Sequence, residues 1–139
     1  MGVPFHDWIR RPAFSGNGEM KMKFDRVLFV AGALCGAAGV ALSAASSHGG
    51  STNVATAANF LLFHAPALIA LSLVAAGSRV LHVGAVILLL ALLLFCGDLL
   101  ARDYLGQRLF PFAAPVGGSG MILGWLMLAV GGLLGRKDG

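Results

Sequence analysis

The apolar positions of this chain do not alternate along it; they gather into four long blocks, 27–45, 55–76, 83–102 and 117–135, separated by short polar or glycine-bearing stretches. At roughly 1.5 Å rise per residue, twenty helical residues cover roughly 30 Å, the hydrocarbon thickness of a bilayer. Each block is therefore predicted to be a membrane-spanning helix. Four spans joined by short turns give an all-α fold, an integral membrane four-helix bundle of up-down topology.

The third block, VGAVILLLALLLFCGDLLAR, is interrupted by Asp98 just before it ends. Stopping the span ahead of Asp98 would leave fewer than the roughly seventeen residues that a crossing needs. The helix is thus expected to carry an acid into the outer part of the membrane. Arg102, one turn further on, is the nearest partner, in the favourable order for an i,i+4 pair.

Composition strengthens the membrane reading: 58% of the 139 residues are hydrophobic and 12% are charged, well outside the balance of soluble domains. Twenty glycines would be odd in a soluble helical protein, but they suit membrane helices that pack backbone to backbone. Gly32 with Gly36, Gly120 with Gly124, and Gly131 with Gly135 place small residues one turn apart and are expected to be packing contacts. Gly117, Gly118 and Gly120 are expected at a permissive entry to the fourth helix. Pro66 predicts a kink near His64 in the second helix.

Two regions follow: a polar tail, residues 1–26, and the transmembrane domain, residues 27–139. In the tail, Phe5 and Trp8 stand beside Arg10 and Arg11, a mixture suited to the headgroup region or to a partner surface. Ser43-Ala44-Ala45 behind the first block resembles a signal-peptide cleavage site, but the polar stretch ahead of the block is too long for that reading. Eight basic residues fall in the tail, the second turn and the C-terminus, against two at the other surface, Arg102 at the end of the third block and Arg108 in the connection after it. The positive-inside rule then places both termini in the cytoplasm. With its net charge of +4 lying mostly before the first span, the chain is expected to meet the lipid bilayer rather than nucleic acid.

Candidate chemistry is sparse. Asn59, His64 and Asp98, with His48 and Arg102 at the boundary, form a candidate polar cluster in the outer half of the bundle. Such a cluster could relay protons or hold a ligand. The structural alternative pairs Asp98 with Arg102 and leaves His64 as a hydrogen-bonding link between helices. The indole N–H of Trp125, in an otherwise apolar helix, calls for a partner across the bundle. Haem would need two histidines at one depth, so no cofactor is expected. Cys35 and Cys96 count to depths roughly 10 Å apart, which argues against a disulfide, and no cluster with metal-ligand spacing is present. Without Ser-His-Asp, HExxH or paired-carboxylate arrangements, no enzymatic activity is expected.

Four segments together carry a resemblance. They are AGALCGAAGVALSAASSHG, the FLLFHAPALIAL of the second block, LLFCGD at the end of the third, and PVGGSGMILGWL. The chain resembles, over roughly residues 27–135, the small bacterial membrane proteins of the domain of unknown function 423 family, the YgdD-like proteins. The matching positions are His48, His64, Gly97, Gly117, Gly118, Gly124 and Trp125. The chain departs from the pattern at three places: SSHG stands for a Gly-Ala-His-Gly turn, Asn59-Phe60 for a polar-aromatic pair, and Cys96-Gly97-Asp98 for a Ser-Gly-Ser type sequence. The resemblance implies a four-helix protein of the bacterial inner membrane and no particular reaction. The expected role is that of a non-enzymatic accessory subunit packing against a larger membrane complex or copies of itself. The alternative is a small transporter or proton or ion conductor using His64, Asp98 and Arg102.

Overall fold

A computed structural model describes residues 24–49 and 51–135. Phe5, Trp8, Arg10 and Arg11, the expected interfacial residues, lie outside the described residues. Four helices make up nearly all of the rest: α1, Arg26–Ser47; α2, Thr52–Val74; α3, Arg79–Tyr104; and α4, Ala113–Leu134. A single 3-10 turn, Ala75–Gly77, joins α2 to α3. All four helices are long and apolar enough to cross a membrane.

Each helix begins earlier than the apolar blocks predict, and capping is the reason. The carboxylate of Asp25 accepts from the amides of Val27 and Leu28, Ser51 caps α2 through the amides of Asn53 and Val54, and Ser78 caps α3 through Leu81. Satisfying these otherwise orphaned donors lets polar residues join the first turn. α4 opens differently. Phe112 sits before it in the left-handed region, φ 68°, and Ala113 and Ala114 supply the first turn. Gly117, Gly118 and Gly120, expected at the entry, therefore lie inside α4. α2 is continuous through Pro66.

The helices run up and down, but the bundle is open. α1 packs on α2, α2 on α3, and α3 on α4; α1 only brushes α3, and the first and last helices do not meet. Two helical hairpins thus lie side by side, joined through α2 and α3.

Glycine sets the closeness of both hairpins. A Cβ at Gly32 would stand 3.0 Å from Ile69, and one at Gly39 would stand 2.8 Å from Leu62, so α1 presses on α2 at points seven residues apart. The second hairpin repeats the device. Gly117 faces Phe95, Gly124 faces Leu88 and Gly131 faces Leu81, again at steps of seven along both antiparallel helices. A repeat of seven keeps one seam facing the partner when two helices wind gently around each other. Of the expected packing glycines, Gly32, Gly120, Gly124 and Gly131 make tight contacts and Gly36 an ordinary one against Ala65. Gly135 is a correction: among the described residues nothing lies within 4 Å of where its Cβ would stand, because α4 extends past the start of α3 there. Gly39 and Gly117 join the seams at a spacing of seven, which pairs of small residues four apart do not reveal.

The buried core is built of Leu28, Leu61, Leu68, Leu88 and Leu92 with small Ala57 and Ala85 between them. Large apolar side chains also cover the outside, among them Val27, Leu34, Phe63, Leu90, Ile122 and Leu133. An exterior as apolar as the interior is what a lipid solvent requires.

Candidate functional site

The candidate polar residues do not assemble. They divide into two separate contacts, and two of the five join neither. Asn59 and His48 are exposed, Asn59 on the outside of α2 and His48 as the C-terminal cap of α1. The expected single cluster is corrected on this point: Asp98 and His64 hold different partners.

Asp98 is completely buried. Arg102 Nε donates to its Oδ2 at 2.9 Å, with Nη2 of the same guanidinium on that oxygen as well, and the backbone N–H of Leu109 donates to its Oδ1 at 2.9 Å. Both carboxylate oxygens are therefore engaged. A buried carboxylate is stable only when paired and hydrogen-bonded, and this one meets both conditions. Beside it, the side chain of Leu109 lies 3.5 Å from where a Cβ of Gly97 would stand, an ordinary contact. Asp98 thus holds the α3–α4 connection down onto α3.

His64 is half-buried, close to the midpoint of α2. Its Nδ1 lies 2.8 Å from the carbonyl oxygen of Phe60, which can only accept, so the proton sits on Nδ1. Nε2 then offers a lone pair, and the indole N–H of Trp125 donates to it at 3.3 Å. Trp125 comes from α4, whose backbone does not reach α2; the two long side chains meet over α3. Phe60 and Phe95 lie beside them, ring centroids 4.7 Å apart.

Both ends of the helices carry further ties that the sequence reading missed. At one end, the N–H of Asp25 donates to the carbonyl of Ser72 at 2.8 Å, and its Oδ2 stands 3.1 Å from His82 Nδ1. One residue therefore binds the start of α1 to the end of α2 and the start of α3. At the other end, Ser51 and Asn53 both donate to Asp103, at 2.5 and 3.3 Å. An acid just ahead of an apolar block is a recognisable helix-start signal, and Asp25 carries it.

Cys35 and Cys96 are free thiols, both buried. Their offset in depth does not separate them into different surroundings: both line one apolar cavity of about 380 Å³ between α1, α2 and α3. Among the described residues no group of three or more His, Cys, Asp or Glu side chains could hold a metal ion.

In comparison with known proteins, the profile of a family described as "Protein of unknown function (DUF423)" matches residues 35–118, more than half of the chain. That stretch runs from the middle of α1 through the Gly97-Asp98 pair to the first turns of α4. No curated protein and no solved structure matches the chain.

Proposed function

Because the chain belongs to this family of unknown function, its role has to be argued from its own geometry, and we propose that it is a non-enzymatic accessory subunit. It packs within the membrane against a larger protein complex. The observation that carries this reading is the state of Asp98. A carrier needs its membrane-depth acid available to a substrate, whereas here the carboxylate is fully engaged in fixing the α3–α4 connection. The rival reading, a proton or ion conductor, loses support from the separation of His64 from Asp98 and Arg102.

Two further features favour an accessory role. Little of the described chain lies outside the helices, and the open row leaves the outer faces of α1 and α4 clear of one another. The family resemblance favours a bacterial inner membrane, and the weighting of basic residues toward the tail and C-terminus favours both termini in the cytoplasm.

Gentle-detergent purification from native membranes, with mass analysis of what travels with the chain, tests the proposal. Stoichiometric recovery with one large complex is expected; recovery alone would overturn the accessory role. Asp98→Asn separates the rival, since a conductor would lose flux while the protein still accumulates.

A further inference from the structure

On one side of the row, α2, α3 and α4 enclose a groove of about 350 Å³, lined by Phe60, His64, Phe95, Met121, Ile122 and Trp125. It lies near the midpoints of α2 and α4, at the depth of the hydrocarbon core. Hydrogen-bonding groups on a face open to lipid are costly there, and in such positions they mark candidate functional sites.

The two polar groups are complementary in a particular sense. Trp125 offers only a donor, and His64 Nε2, with its proton fixed on Nδ1, offers only an acceptor. The two are joined by one N–H···N hydrogen bond of 3.3 Å, on the half-exposed side of the row, where a ligand can reach both partners. A hydroxyl group both accepts and donates. Placed between the two once they part, its oxygen takes the indole N–H while its own hydrogen goes to Nε2, replacing one bond with two. A carbonyl or ether oxygen could take the indole N–H but would leave Nε2 without a donor.

The walls select the rest of the ligand. Phe60 lies nearly parallel to the His64 ring, 9° and 6.0 Å apart, and Phe95 tilts against Phe60. These faces suit a planar ring. An apolar cavity of about 150 Å³ already holds benzene, so a substituted ring fits in the volume present. A lipophilic substituent would favour such a ring at this depth.

We propose that this groove binds a lipophilic phenol or hydroquinone, with a ring hydroxyl held between Trp125 Nε1 and His64 Nε2. The site is independent of the accessory role and stands or falls on its own test.

The full chain carrying Trp8→Phe, reconstituted in lipid nanodiscs, leaves Trp125 as the only tryptophan reporter. Decylhydroquinone is titrated anaerobically, alongside its dimethyl ether. Saturable quenching of Trp125 emission by the hydroquinone is expected, with about tenfold weaker binding of the ether, the worth of one lost hydrogen bond. His64→Leu removes the saturable phase. Trp125→Phe, read by partition of radiolabelled decylhydroquinone, loses the uptake of one molecule per chain. Linear quenching, equal binding of hydroquinone and ether, or undiminished uptake by folded variants would overturn the proposal and leave the groove to acyl chains. Should a variant fail to fold, the comparison with the ether on unaltered His64 and Trp125 decides alone.

Discussion

The backbone N–H of Leu109 donates to Oδ1 of Asp98 at 2.9 Å, which ties the α3–α4 connection to the helix it has just left. Arg102 holds the other oxygen from the next turn. The acid is the joint of the second hairpin, and removing it exposes both partners at once. Asp98→Ala is expected to lower stability by about 3 kcal/mol or more, because it leaves a guanidinium and a buried amide without an acceptor. Thermal melting in a single detergent checks this. A variant as stable as the parent would show that the loop is held by other means.

The glycine seam predicts position-dependent costs within one helix. A methyl group at Gly117 would press within 2.7 Å of the Phe95 backbone nitrogen, and one at Gly124 within 3.0 Å of Leu88. Gly117→Ala and Gly124→Ala should each cost about 1–3 kcal/mol through overpacking. Gly132→Ala, with nothing within 4 Å, is expected to be neutral within about 0.5 kcal/mol. Equal effects at all three positions in a denaturant titration would sink the seam.

Asp25 caps α1 and meets His82 with its second oxygen. Asp25→Ala should therefore destabilise the start of α1 by about 1 kcal/mol, the usual worth of a lost cap. Hydrogen exchange at the amides of Val27 and Leu28 would accelerate. Asp25→Asn keeps a capping oxygen and should accelerate them less; if both variants behave alike, the cap contributes nothing.

The thiols of Cys35 and Cys96 are buried beside an apolar cavity. A water-soluble maleimide is expected to label neither in the folded protein and both after denaturation in SDS, counted by intact mass. Rapid labelling of either thiol in the native state would place it at a surface reached by water.

The sequence by itself determined the number of helices and their alternating direction, though not where each begins. Apolar blocks of this length have one solution in a lipid solvent, where every backbone group must be satisfied within its own helix. It also carried the family, whose profile matches residues 35–118 and so leaves Gly124 and Trp125 outside the matched stretch. The pairing of Asp98 with Arg102 was legible too, since i,i+4 neighbours on a helix meet whatever surrounds them. Only the tertiary structure decided the rest. Depth along a helix can be counted, but the direction a side chain faces depends on how the helices rotate against one another. Asn59, His64 and Asp98 all count to the outer half of the bundle, yet they face apart. Rotation likewise brought Trp125 to His64 across α3 and seated Gly117 on Phe95, contacts between residues far apart in the chain for which no local spacing rule exists.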